Sequence, residues 1–117
     1  MSSFKESFTY AFNGFKFALS EKHFKIHLLA ALLVTAAGFY FHITQTEWLI
    51  CILLFALVIS LEIVNTAIER LVDMVSPEQN PKAGTVKDLA ASAVLVAAIA
   101  AVVCAVIIFA KYILALF

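Results

Sequence analysis

The chain has 117 residues and no net formal charge; 64% of its residues are hydrophobic and only 14% are charged. A soluble domain is about 45–50% apolar and about 25% charged, so this composition excludes a water-soluble globular protein. The balanced charge provides no basic field for nucleic acid. At roughly 20 residues for each membrane-spanning helix, the length allows three or four spans in a single domain.

The first 20 residues predict a helix that lies on the membrane surface. Apolar side chains recur every three or four residues and so share one helical face: Phe4, Phe8, Phe12, Phe15 and Leu19. Ser3 followed by Glu6 is typical of a capping box at a helix start. A helix with one apolar face is expected to lie in the membrane interface rather than cross the bilayer.

Three membrane-spanning helices are predicted after this segment, at about 26–41, 48–75 and 86–112. The first connection, 42–47, is short and carries no Lys or Arg. The second connection, 76–85, holds both prolines and a glycine and therefore predicts a loop. Thr85 is expected to cap the last helix.

Positive charge predicts the orientation of these helices. Lysines are concentrated in the N-terminal segment, and the second loop holds Lys82, with Arg70 just before the loop and Lys87 at its end. The positive-inside rule therefore predicts a cytoplasmic N-terminus and a cytoplasmic 76–85 loop. Lys111 stands alone at the far end, where it is expected to snorkel to the interface.

One stretch of the second span carries polar residues within an apolar helix. At 100° per residue, four side chains lie within about 60° of Glu62 around the axis and form one stripe: Asn65, Thr66, Glu69 and Asp73. Carboxylates at membrane depth are costly and usually mark a function. Arg70 points about 100° away from Glu69, so the carboxylates are expected to outnumber nearby cations unless Lys87 reaches them from the next helix. This excess favours a divalent metal such as Mg²⁺.

Lys87 and Asp88 follow the flexible loop at the predicted start of the last helix. A lysine beside free backbone N–H groups there predicts a phosphate site, and a snorkelling lysine beside an ordinary helix-start aspartate is the open alternative. His23 and His27 could bind zinc with Glu21, but two interfacial histidines are the favoured interpretation. Together, a carboxylate stripe and a basic helix start suit phosphoryl transfer from a nucleotide to a lipid alcohol.

These residues form a specific pattern. The segments Glu62-Ile-Val-Asn65-Thr-Ala-Ile-Glu69, Val72-Asp73, Gly84-x-x-Lys87-Asp88 and Ala93-Val-Leu, with Tyr10, Gly14, Glu21 and Phe24 upstream, resemble the bacterial integral-membrane diacylglycerol kinase and undecaprenol kinase family. The resemblance covers nearly the whole chain. It implies an all-α membrane protein with a surface helix and three spans, in the bacterial cell membrane. It also implies a homotrimer whose active sites are shared between neighbouring subunits.

The resemblance implies ATP- and Mg²⁺-dependent phosphorylation of a lipid alcohol, with a role for each matching residue. Glu62 is expected to be the general base, Glu21 and Glu69 to hold Mg²⁺ on the nucleotide, and Asn65 and Asp73 to support that site. The expected nucleotide contacts, besides Glu21 and Glu69, are Tyr10, Glu78, Gln79, Asn80, Lys87 and Asp88. The expected lipid contacts, besides Glu62, are Lys16 and Phe24.

The acceptor lipid is predicted from departures within the resemblance. His27 stands where the diacylglycerol-specific branch has a carboxylate and Asn13 where it has a lysine, and Phe24-Lys25-Ile-His27 is more similar to the undecaprenol kinase branch. Undecaprenol is therefore favoured over diacylglycerol, whose product is phosphatidic acid. A small transporter and a non-catalytic assembly subunit are the alternatives from other classes; neither predicts ATP-dependent transfer.

Overall fold

Residues 3–117 are described by a computed structural model, and they fold into helices alone. The helices in chain order are α1 (Phe4–Leu19), α2 (Lys22–Phe41), α3 (Gln45–Val75) and α4 (Pro81–Leu114). The last three of these are long and apolar enough to cross a membrane. The prediction of an all-α protein with three candidate spans is therefore confirmed.

Capping boxes begin two of the helices. At α1, the Ser3 hydroxyl accepts from the Glu6 N–H while the Glu6 carboxylate accepts from the Ser3 N–H, as the sequence predicted. Thr44 and Glu47 form the same arrangement at α3. That second box makes α3 begin at Gln45, three residues before the predicted start, whereas its end at Val75 agrees with the prediction.

The start of α4 differs from the prediction. Pro81 is the first helical residue, and the Asn80 side chain accepts from the Lys82 N–H at 2.9 Å. Thr85 is not the cap, because its hydroxyl donates to the Pro81 carbonyl from inside the helix. Proline reads as a helix breaker but fits the first helical position, where its missing N–H has no helical partner to lose. The loop therefore shortens to 76–80.

This earlier start changes the position of the basic pair at Lys87 and Asp88. Both residues lie about two turns inside α4 rather than beside its free N–H groups. The prediction of a phosphate site built from Lys87 and those free N–H groups is therefore wrong. Any phosphate contact by Lys87 must come from the reach of its side chain.

Packing is most extensive between α3 and α4. The α2 helix packs on α3, and α1 packs on both α2 and α3. One buried cluster joins α1, α2 and α3 through Ala18, Phe24 and Ile59. A second cluster lies near the other end of α2 and joins Ile43 to Ile108 and Phe109 of α4. The first cluster sets α1 against the polar half of α3, so it positions the candidate site.

The phenylalanine stripe of α1 is only partly engaged by the rest of the chain. Phe4, Phe8 and Phe12 are exposed, whereas Phe15 packs edge-on against Phe24 with ring centroids 5.6 Å apart. Exposed aromatic rings on one helix are what a membrane interface would cover. The surface position of α1 stays a prediction.

The turn between α2 and α3 depends on two backbone features. His42 ends α2 in the left-handed conformation with φ 54°, and the N–H groups of His42 and Ile43 both donate to the Gly38 carbonyl. A Cβ atom on Gly38 would lie 2.6 Å from the Trp48 ring. Gly38 therefore lets the indole of α3 rest directly on the α2 backbone.

Candidate functional site

The polar stripe of α3 runs from a buried end to an open end. Glu62 and Asn65 are buried, with 5% and 8% of their surface exposed, Glu69 is half-buried and Asp73 is exposed. Glu62 and Glu69 are separated by two helical turns, roughly 10 Å along the axis. The stripe thus joins an apolar interior to the loop end of the bundle.

Cations from outside the stripe reach its open end. The Lys87 ammonium donates to the Asp73 carboxylate, as the sequence allowed. Arg70 turns away from the stripe and pairs with Glu21 at 2.7 Å, with its guanidinium 4.9 Å from the centre of the Phe17 ring. Lys87 therefore neutralises Asp73 at the open end of the stripe. Arg70 neutralises Glu21 outside it, so the expected excess of carboxylates remains deeper in the stripe. The sequence analysis missed the Arg70–Glu21 pair because it compared Arg70 only with its own helix.

Glu69 and Asn65 form the middle of the stripe. The Asn65 Nδ2 group donates to Glu69 Oε1 at 3.1 Å, and Asn65 Oδ1 is buried with no hydrogen-bond partner in the described chain. No cation of residues 3–117 lies within salt-bridge distance of Glu69. A buried acceptor without a partner is costly, and its presence beside a carboxylate indicates a place for a ligand or an ion.

Glu62 lies at the deep end of the stripe and meets a histidine from α2. His27 Nε2 is 3.5 Å from Glu62 Oε2, and the two side chains are 22% and 7% exposed. Within residues 3–117, no group of three His, Cys, Asp or Glu side chains is arranged to hold a metal ion by itself. The arrangement therefore gives no support to the zinc alternative for Glu21, His23 and His27, and it gives His27 a partner that the sequence analysis did not foresee.

A cleft opens between the end of α3 and the start of α4. Its volume is about 540 Å³, and its lining includes five residues with expected nucleotide or supporting roles: Asp73, Glu78, Gln79, Asn80 and Lys87. The short 76–80 loop brings these residues together because it joins two packed helices. Tyr10 and Asp88 do not line this cleft and are exposed.

The two residues expected at the lipid differ in exposure. Lys16 lies on α1 with its ammonium 5.1 Å from the centre of the Phe12 ring and is exposed. Phe24 is 1% exposed and packs in the cluster of Ala18 and Ile59. Phe24 therefore fills the space between α1 and α3, while the Lys16 ammonium is accessible at the surface of α1.

A second polar cluster lies at the opposite end of the bundle. Glu47 Oε2 pairs with Lys111 at 2.7 Å, and the Tyr112 hydroxyl donates to Glu47 Oε1. The prediction that Lys111 only snorkels is therefore incomplete, since it is held by an ion pair. Glu47 was not singled out from the sequence, because a carboxylate near a helix start is ordinary. In the structure Glu47 does have that role, since it completes the α3 capping box.

The chain is similar in sequence to known lipid kinases. Residues 9–109 match the sequence profile described as prokaryotic diacylglycerol kinase. The chain is 37% identical to the undecaprenol kinase of Bacillus subtilis, over 93% of this chain and 89% of that protein. It is 38% identical to a diacylglycerol kinase of Synechocystis, over 83% of this chain but 57% of that protein. It is 32% identical to the diacylglycerol kinase of Escherichia coli K12, over 80% and 78%.

The profile match spans most of the chain, and the named relatives are kinases of lipid alcohols. The prediction of a lipid kinase is therefore confirmed. The chain belongs to the prokaryotic diacylglycerol kinase family of membrane lipid kinases.

Proposed function

We propose that the chain transfers the γ-phosphoryl group of ATP to the hydroxyl of undecaprenol and so makes undecaprenyl phosphate. The depth gradient of the stripe carries this proposal. A lipid alcohol stays in the membrane and a nucleotide stays in water, so the reacting groups must meet along a path that joins a buried base to an open cleft. Glu62 is buried, and the cleft at Asp73 and Lys87 is open.

Glu62 is assigned as the general base. Its carboxylate takes the hydroxyl proton while the lipid oxygen forms a bond to the γ-phosphorus. The bond from that phosphorus to the β-phosphate oxygen breaks, and ADP leaves. Phosphoryl transfer needs positioning and charge neutralisation more than covalent help from the protein, so one correctly placed base is sufficient.

The 76–80 loop and Lys87 are assigned to the nucleotide. The Lys87 ammonium can exchange its exposed Asp73 partner for phosphate oxygens, because a surface ion pair is weak. Glu78, Gln79 and Asn80 supply polar groups along the same cleft. Tyr10 and Asp88 are assigned as outer contacts that the nucleotide would reach beyond the cleft.

The middle of the stripe is assigned to Mg²⁺. Glu69, together with Glu21 at the start of α2, would supply carboxylate oxygens, and Asn65 Oδ1 is a buried acceptor without a partner among residues 3–117. Mg²⁺ commonly takes one or two carboxylates together with phosphate oxygens, so a complete protein cage is not needed. When bound there, Mg²⁺ would neutralise charge on the transferring phosphate. Arg70 would then share or release Glu21, and the exposure of that pair keeps this exchange inexpensive.

Undecaprenol is the preferred acceptor because the Bacillus subtilis undecaprenol kinase aligns with 93% of this chain. Diacylglycerol is the second candidate, since the Synechocystis and Escherichia coli relatives carry that name. Lys16, at the edge of α1, is assigned to the polar end of the lipid, with Phe24 supporting the wall behind it.

We further propose that α1 lies on the cytoplasmic membrane surface and that the N-terminus and the 76–80 loop face the cytoplasm. The excess of Lys and Arg at this end supports that orientation. A homotrimer with sites shared between neighbouring subunits, as the family resemblance implies, is proposed as the assembly. Sedimentation in detergent tests the trimer, and a monomer with full activity would exclude shared sites.

The deciding experiment is phosphate transfer from ATP by purified protein in mixed micelles. Undecaprenol and diacylglycerol are offered separately, with and without Mg²⁺, and Glu62→Gln serves as the blank. We expect faster turnover of undecaprenol, dependent on Mg²⁺. Faster turnover of diacylglycerol would assign the chain to the other acceptor. Folded protein that transfers phosphate to neither lipid would contradict the proposal.

A further inference from the structure

The most deeply buried charged group of the described chain has a single basic neighbour. Glu62 is 5% exposed, and Ile59, which packs with Ala18 and Phe24 in a buried apolar cluster, lies three residues before it in α3. An ionised carboxylate in such surroundings is costly unless a donor meets it. Among residues 3–117, His27 is the one basic side chain within salt-bridge distance of Glu62. The next polar residue, Asn65, directs its amide to Glu69 instead.

The surroundings of His27 leave Glu62 as its natural partner. The imidazole lies at the edge of an apolar cavity of about 160 Å³ between α2, α3 and α4. The part of the cavity wall that α2 contributes after His27 consists of Ala30, Ala31 and Val34, whose side chains have no hydrogen-bond acceptor. His23, one turn earlier, is exposed. The two histidines thus share a helix but differ in their contact with the stripe.

We propose that His27 is a positioning residue for Glu62, an inference that rests on the proposed function. An N–H donor at Nε2 holds Glu62 Oε2, which fixes the carboxylate plane and leaves Oε1 to take the lipid hydroxyl proton. His27 itself neither gains nor loses a proton in this step. The 3.5 Å separation is long for a hydrogen bond. Such contacts commonly tighten when substrate is bound.

The test compares kcat and KM for both substrates in four variants. His27→Ala removes the donor, His27→Leu keeps much of the volume without the donor, and His27→Gln keeps an N–H donor. His23→Ala is the matched control on the same helix. We expect His27→Ala and His27→Leu to lower kcat about 10–100-fold, because a misplaced reacting group costs rate rather than affinity. KM for ATP should stay unchanged, and His27→Gln should recover kcat several-fold.

A second comparison tests whether His27 acts through Glu62. In the Glu62→Gln background, removing His27 should cause no further loss of the residual rate, because residues that act as a unit are not additive. In ¹⁵N NMR of the imidazoles, the signals of His27 but not those of His23 should shift between the wild-type protein and the folded Glu62→Gln variant. This measurement requires no His27 variant to fold.

The outcomes separate this inference from the proposed function. If wild-type protein is active and Glu62→Gln is inactive, while His27→Ala keeps wild-type kcat, the positioning role is overturned and the function stands. The positioning role would also be overturned if His27→Leu and His27→Gln had the same kcat and if kcat across the variants followed their thermal stability alone. An active Glu62→Gln variant would instead remove the proposed base, and with it both assignments.

Discussion

Two polar clusters lie at opposite ends of this bundle. Both are built around a carboxylate, but they differ in how many of its hydrogen-bond partners the chain supplies. At the far end, Glu47 binds Lys111 and Tyr112 and also closes the α3 capping box, so both of its oxygens have partners. At the other end, Glu69 meets only the Asn65 amide, and Asn65 Oδ1 has no partner in the described chain. One cluster is complete, whereas the other has capacity left for a ligand.

Exposure of the paired carboxylates differs in the same sense. The Glu47 side chain is 11% exposed, whereas those of Glu21 and Asp73 are 31% and 59% exposed. A buried carboxylate with full hydrogen bonding fixes structure, because removing either partner leaves a costly group. Exposed pairs exchange partners at little cost. The number of satisfied acceptors, rather than the number of charges, therefore distinguishes a structural cluster from a reactive one.

The largest expected difference between the two ends is in chemistry. Glu62→Gln should lower kcat by about 100-fold or more, since a general base contributes about 10²–10⁴-fold. Its fold and assembly should be retained. The assay is ATP-dependent transfer to undecaprenol, with circular dichroism of the same sample. Wild-type turnover would exclude Glu62 as the base.

Removal of Glu69 should act on the metal nucleotide instead. Glu69→Ala is expected to raise the Mg²⁺ concentration needed for half-maximal activity by at least about 10–100-fold. Loss of even an outer partner of a metal ligand costs about this much metal affinity. Titration of Mg²⁺ at fixed ATP measures this shift. Glu6→Ala, which changes an exposed carboxylate of α1, is the control. An unchanged Mg²⁺ titration would place the ion elsewhere.

The complete cluster should respond in stability and not in rate. Glu47→Ala is expected to lower the unfolding midpoint more than Glu6→Ala does. The reason is that it removes the acceptor of the half-buried Tyr112 hydroxyl as well as the ion pair with Lys111. Glu6→Ala is a matched control, since Glu6 holds the same position in the exposed capping box of α1. Thermal unfolding in detergent compares the two. Equal losses would mean that Lys111 and Tyr112 contribute nothing beyond the cap.

Two glycine substitutions, one beside the α2–α3 turn and one in α1, should change stability with opposite signs. Gly38→Ala should destabilise the fold by about 1–3 kcal/mol, since its Cβ overlaps the Trp48 ring. Gly14→Ala, where nothing lies within 4 Å, should stabilise α1 by about 0.5–1 kcal/mol. Unfolding midpoints of both variants test this pair. Stabilisation by Gly38→Ala would show that α2 and α3 can separate there without cost.

The sequence by itself determined the helices, the three candidate spans and the residue types of the stripe. These depend on local properties: hydropathy sets the spans, the period of 3.6 residues aligns Glu62 with Glu69, and Ser3 with Glu6 marks a cap. Prediction erred where one residue type has two local meanings. Pro81 was interpreted as part of a loop, but it begins α4, and this moved Lys87 away from the helix start.

Only the tertiary structure decided which charges meet. Arg70 reaches Glu21 across 49 positions of sequence, and Glu47 reaches Tyr112 across 65. His27 and Glu62 likewise belong to different helices. Helical periodicity places a side chain on a face of its own helix, but the neighbour of that face depends on how helices pack. Partners were therefore beyond the sequence, while the groups that needed partners were already visible in it.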